Sequence, residues 1–102
     1  MDCIEQIRDI IVSEINPDKI ILFGSRARDD FREDSDYDIL ILKSHFINRR
    51  KTLKDLRICL YKKGVSAAMD ILLLDTTKYG QLYDVNGLVY RNIKQEGIVI
   101  YG

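Results

Sequence analysis

The sequence has no tryptophan, one proline, one histidine and two cysteines, and its formal net charge is zero. A balanced charge weighs against the broad basic footprint of a protein that grips a nucleic-acid duplex unaided, and leaves a local basic patch open. No stacking aromatics sit on a basic face, so direct nucleic-acid binding is not expected. One histidine and two distant cysteines, Cys3 and Cys59, do not make a zinc motif. We expect free thiols in a reducing cytoplasm, with no disulfide. No apolar run approaches the roughly 18 residues of a membrane span. Met1-Asp2-Cys3-Ile4-Glu5 does not look like a secretory leader. The expectation is a cytoplasmic protein with no membrane contact.

What is present is ordinary for a globular chain: 102 residues, 46% hydrophobic and 31% charged. That length suits one domain over 1–102, which buries about two-thirds of its unfolded surface. Ile4, Ile7, Ile10, Ile11 and Ile15 recur at helical spacing and predict an amphipathic helix over 2–15. Asn16-Pro17 stops it, because a residue before proline is pushed away from helical geometry. A strand is expected over 19–23. A second helix is expected from Ile47 to Lys63, with Leu53, Leu56 and Leu60 as its core stripe and Gly64 as its stop. Its cations, Arg49, Arg50, Lys51, Lys54 and Arg57, form either a solvated face or a surface for an acidic partner or product phosphate. His45, before that helix, is expected to be an exposed loop residue.

A strand follows over 67–75, with Asp70 in an apolar neighbourhood and Asp75 as a helix cap at its end. Tyr79, Leu82, Val85, Val89 and Ile93 suggest one interrupted helix or two short ones, since Gly80 and Gly87 fall inside. Ile98-Val99-Ile100-Tyr101 reads as a last short strand. The order helix, strand, strand, helix, strand, helix, strand predicts an α+β fold of the α/β sandwich kind, a small mixed sheet with helices mainly on one face.

The stretch from Ile20 to Leu42 carries the chemistry. The apolar run Ile20-Ile21-Leu22-Phe23 is broken by Gly24-Ser25, and after a charged loop Ser35-Asp36-Tyr37-Asp38 feeds into Ile39-Leu40-Ile41-Leu42. Alternation along a strand sends Asp36 and Asp38 to one side and Tyr37 to the other. Two neighbouring carboxylates repel each other, and a hard divalent ion such as Mg²⁺ relieves that conflict. The Gly24-Ser25 turn offers backbone N–H groups suited to phosphate, and a short helical turn over 25–28 would face them. Arg26 and Arg28 are candidates to fork onto phosphate oxygens or, equally, to pair with the acidic loop over 29–34. Together these features read as a nucleotide site.

Phe23-Gly24-Ser25-Arg26-Ala27-Arg28 followed by Asp34-Ser35-Asp36-Tyr37-Asp38 resembles the signature of the minimal nucleotidyltransferases of the DNA polymerase β superfamily. Asp70, in Met69-Asp70-Ile71-Leu72, is similar in context to the third carboxylate of that family. The likeness runs through roughly the whole chain. It departs where Asp29 stands in place of a common glycine, which implies altered loop detail rather than a lost site. The resemblance implies the polymerase β-like fold, ATP as substrate, and two Mg²⁺ ions held by Asp36, Asp38 and Asp70, which are also the catalytic residues. Gly24, Ser25, Arg26 and Arg28 would bind the nucleotide.

Free-standing members of this group commonly act as antitoxins beside a small all-helical HEPN-type toxin, which they inactivate by transferring AMP to a tyrosine. That is the role the resemblance implies. Two other readings stay open: a non-catalytic interaction module that neutralises its partner by binding, and AMP transfer to a small molecule. Pairing of two copies also stays open.

Overall fold

The computed structural model describes residues 3–28, 36–77, 93 and 96–102. Helix α1 (Ile4–Ile15) leads into strand β1 (Lys19–Phe23) and the short helix α2 (Ser25–Arg28). Strand β2 (Tyr37–Lys43), helix α3 (Arg49–Lys62), strand β3 (Met69–Asp75) and strand β4 (Ile98–Tyr101) follow. The strands form one mixed sheet in the order β3-β2-β1-β4. β2 and β3 are parallel, whereas β1 runs antiparallel to both β2 and β4. A parallel pair needs a long crossover connection, and α3 supplies it.

Strict alternation divides the sheet into two faces. Ile20 and Leu22 of β1, Tyr37, Ile39 and Ile41 of β2, and Ile71 and Leu73 of β3 pack against Ile7, Ile10 and Ile11 of α1 and Leu56 and Leu60 of α3. Ile21, Phe23, Leu40, Leu42 and Leu74 form the opposite face, where Ile93 joins them. Truncating a fully buried aliphatic such as Ile39 or Leu56 to alanine removes about 2–5 kcal/mol from a core of this kind. The α1 and α3 layer therefore lies on one side, as the helical periodicities require.

Several boundaries differ from the sequence expectations, each for a local reason. α3 starts at Arg49 and not at Ile47, because the Asn48 side chain accepts the Lys51 N–H at 3.1 Å and caps the helix. β3 starts at Met69, two residues later than expected. Just before it the Ala68 carbonyl accepts the Tyr37 N–H at 2.9 Å, which sets the parallel register. Asn16 ends α1 in the left-handed region, at φ 47°, and not in an extended conformation. Asparagine tolerates that region better than most residues. The expected helices of the last quarter and the acidic loop over 29–34, with Asp29, lie outside the described residues.

Gly64 ends α3 as expected, at φ +88°. Its N–H bonds the Tyr61 carbonyl and the Val65 N–H bonds the Leu60 carbonyl, both at 3.0 Å. That is the paired bonding of a Schellman stop, and Val65 is buried beyond it. A Cβ at Gly64 meets nothing within 4 Å, so only the backbone conformation opposes a side chain there. Gly64→Ala is accordingly expected to lower unfolding free energy by about 1 kcal/mol in urea titration, with nucleotide chemistry unchanged.

At the far end of the sheet, Asp18 ties three segments together. Its N–H donates to the Leu42 carbonyl at 2.7 Å. Its carboxylate accepts the Ser44 hydroxyl and, at 2.6 Å, the Thr76 hydroxyl. These bonds, Ser44 first, hold the Asp18 carboxyl below its ordinary value of 3.8. A depressed carboxyl contributes stability above pH 3.8 and loses it as pH falls through the lowered value. Thermal unfolding of the native chain should thus drop more steeply below pH 4 than that of Asp18→Asn. The difference is modest because the group is exposed.

Candidate active site

The carboxylates owe their positions to strand register. Asp38 is the second residue of β2 and Asp70 the second residue of β3, and the two are directly paired across the parallel ladder. Adjacent strands run about 4.8 Å apart and paired residues point to the same side. Asp38 precedes Leu40 and Leu42 by even steps, and Asp70 likewise precedes Leu72 and Leu74. Both acids thus continue the apolar stripe of the face opposite α1 and α3. Asp36 stands immediately before β2 and is exposed. Tyr37 points the other way and is 4% exposed.

Asp70 is exposed, and Asp38 is half-buried. The apolar sequence around Asp70 suggested a carboxylate in conflict with its surroundings. The structure removes that conflict, because the second position of β3 lies at the open end of the sheet. Asp75 is the expected cap: its carboxylate accepts the Thr77 N–H at 2.9 Å. His45 is exposed.

β1 brings the phosphate turn to the same corner. Phe23 pairs with Asp38, so Gly24 follows directly beside that carboxylate. Gly24 has φ +75°, and a Cβ built on it would collide with the Asp38 side chain. Glycine is therefore needed twice here, for its backbone and for the space it leaves. The Gly24 carbonyl accepts the Ala27 N–H at 3.1 Å, which starts α2 at Ser25. The first N–H groups of such a turn have no intrahelical acceptor and are suited to an anion. Arg26, in the same turn, lays its guanidinium over the Tyr37 ring at 4.1 Å. The Cys3 thiol donates weakly to the Tyr37 hydroxyl at 3.3 Å, so this tyrosine links α1, α2 and β2. That seat for Arg26 was not foreseen from the sequence, and because Tyr37 belongs to the helix-covered face it holds the guanidinium away from the Asp38 side, unlike the phosphate contact expected of Arg26. The side chains of Ser25 and Arg28 lie outside the described residues.

Among the described residues, no three His, Cys, Asp or Glu side chains converge as a ready-made metal cluster. The donor set nevertheless fits a hard divalent cation. Two carboxylates are held in register by the ladder, a third precedes one of them, and the missing side chain at Gly24 leaves room for the Asp38 carboxylate to lie against the turn. Oxygen-only donors of this kind suit Mg²⁺.

The comparisons with known proteins agree with this geometry. The family described as Polymerase beta, Nucleotidyltransferase matches residues 5–102. A protein of Methanocaldococcus jannaschii, provisionally named a protein adenylyltransferase, is 35% identical over 83 residues, 81% of this chain and 77% of that protein. Among solved structures, a toxin–antitoxin complex with AMP-PNP superposes with a TM-score of 0.69 at 18% identity, over 96% of this chain and 72% of that one. A nucleotidyltransferase fold from Sulfolobus solfataricus gives 0.60 at 18% identity, over 95% and 75%. The two structural likenesses speak for the fold, and the family match speaks for descent. On these grounds the chain belongs to the polymerase β nucleotidyltransferase family.

Proposed function

We propose that this chain, as a single domain over 1–102, transfers AMP from ATP to the tyrosine hydroxyl of a cognate HEPN-type toxin, and so acts as an antitoxin. The observation that carries the proposal is the in-register pair Asp38 and Asp70, with the Asp38 carboxylate packed against the Gly24 turn. The adenylyltransferase name of the M. jannaschii relative and the toxin–antitoxin neighbours support the choice of donor and partner. Free Cys3 and Cys59 agree with a cytoplasmic setting, where ATP is available.

In this mechanism the backbone N–H groups around Gly24 and Ser25 hold the β- and γ-phosphates, with Arg28 as a forked partner for their oxygens; Arg26, seated on the Tyr37 ring, joins them only by leaving that ring. Asp36, Asp38 and Asp70 would hold Mg²⁺, which, when bound, supplies charge neutralisation at the phosphates and acidifies the acceptor hydroxyl. Asp70 also accepts the proton of the attacking hydroxyl. The acceptor oxygen forms a bond to the α-phosphorus, the bond from that phosphorus to the bridging oxygen breaks, and pyrophosphate leaves. The domain mainly positions the reactants.

Incubation with α-³²P-labelled ATP, Mg²⁺ and the purified toxin is the direct test. Label on the toxin with the native chain, and its absence with the Asp36→Asn, Asp38→Asn double variant, is the expected result. Label on neither, with the complex still formed by both, would replace catalysis by neutralisation through contact. Label on an added small alcohol or aminoglycoside, and none on the toxin, would move the acceptor to a small molecule.

Two variants sharpen the assignment of roles. Asp70→Asn should lower the transfer rate by about 10²–10⁴-fold, the usual worth of a positioned base, with its unfolding midpoint close to native because the residue is exposed. Gly24→Ala should lower the rate at least as severely, since its Cβ displaces the Asp38 carboxylate. Its backbone cost, about 1–2 kcal/mol, should appear separately in urea titration. Chelation by EDTA should stop labelling in the native chain and be reversed by added Mg²⁺.

A further inference from the structure

Charge is balanced over the whole sequence and strongly segregated within it. Seven of the 16 cations and one of the 16 acids fall within residues 49–63, so that segment carries +6 and the remainder −6. The segment is α3 with its C-terminal residue. Leu56 and Leu60 turn one side of α3 into the core. Arg50, Lys54, Arg57, Ile58 and Tyr61 are all exposed and recur at steps of three and four, which puts them on one outward stripe. The sole acid of the helix, Asp55, lies off that stripe.

The stripe is not an ordinary solvated face. Tyr61 is 81% exposed and Ile58 42% exposed, between cations. Tyrosine and arginine beside an aliphatic residue make the composition of a protein–protein contact, in which apolar area binds and charge selects. At the N-terminal end of α3 the surface dips into an open groove of about 760 Å³. Ile15, Phe46 and Ile47 line it together with Lys51 and the acids Glu14 and Asp55, so it lies beside the stripe and adds apolar area without a charge of one sign. Tyr61 does put an exposed aromatic on a basic face, contrary to the expectation from sequence, but nucleic acid fits less well, because phosphate needs no aliphatic partner and the rest of the chain carries −6.

We infer that the outward stripe of α3 is a docking surface for an acidic protein partner with a small apolar centre. The partner half of the proposed function supplies the candidate, the cognate toxin, and the inference rests on that half. Position adds a consequence. α3 covers the sheet face that holds Tyr37, whereas Asp38 and Asp70 belong to the opposite face. A partner seated on α3 therefore leaves the carboxylate corner open, and its acceptor hydroxyl reaches that corner from a different segment. Docking and transfer are separable.

The test uses the full chain and purified toxin, with affinity by calorimetry at low and high salt and steady-state labelling in parallel. The Lys54→Glu, Arg57→Glu variant should bind about tenfold more weakly or worse. It should lose most of the salt dependence and raise KM for the toxin by a similar factor, with kcat unchanged. Tyr61→Ala should weaken binding with the salt dependence retained. Both variants alter exposed positions, so native unfolding midpoints are expected. Native-like affinity in both variants, or no binding by the native chain, overturns the inference. So does tighter binding of a short DNA duplex that the charge variant abolishes, or a native dimer that the charge variant dissolves. Toxin that binds but is never labelled would remove the catalytic reading alone, leaving the docking surface to stand or fall on the affinities.

Discussion

Everything at the candidate site depends on one pairing, the parallel ladder between β2 and β3. It sets Asp38 opposite Asp70, and no side-chain contact is required to do so. The ladder is in turn fixed by what the two strands bury. Ile39, Ile41, Ile71 and Leu73 face the helices, so a slip of one residue would invert every side chain and expose them. The carboxylates thus inherit the precision of the hydrophobic core. Strands place such groups more rigidly than loops do, which is what a reaction governed by positioning demands.

Glycine at position 24 completes that corner by absence. Its neighbour across the β1–β2 ladder is the strand end that carries Asp38, and that carboxylate lies where it does only because no Cβ stands in its place. The contrast with Gly64 is instructive. Both residues have positive φ, yet Gly64 faces open space and serves only to end a helix. The same residue type does local backbone work in one place and sets the position of a carboxylate in the other.

Much of this was legible in the sequence. β1 and β4 lie where the apolar runs of 19–23 and 98–101 put them, because short runs bounded by turn residues leave little choice of period. The opposed directions of Tyr37 and Asp38 follow from alternation alone. The spacing from Gly24 to Asp38 carried the family likeness that the match over residues 5–102 bears out. Less legible were contacts that join distant segments. The Asp18 bonds to Ser44 and Thr76 link three stretches whose proximity no local pattern announces. The stacking of Arg26 on Tyr37 is of the same kind. Asp70 looked like a charge among aliphatics because sequence neighbours are not spatial neighbours at a strand end. The start of α3 was misplaced by two residues although Asn48 is a favourable capping type, since an apolar Ile47 continued the helical pattern beyond the cap.

The crossover between β2 and β3 has a bearing on the timing of assembly. The two acids belong to strands that meet only after the chain between them, α3 included, has closed into a loop and packed. Contacts of that separation form late relative to local helix and turn formation, because closure entropy must be met before the ladder returns anything. A nascent or partly folded chain can carry its glycine turn and its first two acids and still have no third carboxylate in place. On the proposed mechanism, the set of three acids is therefore complete only when the fold is.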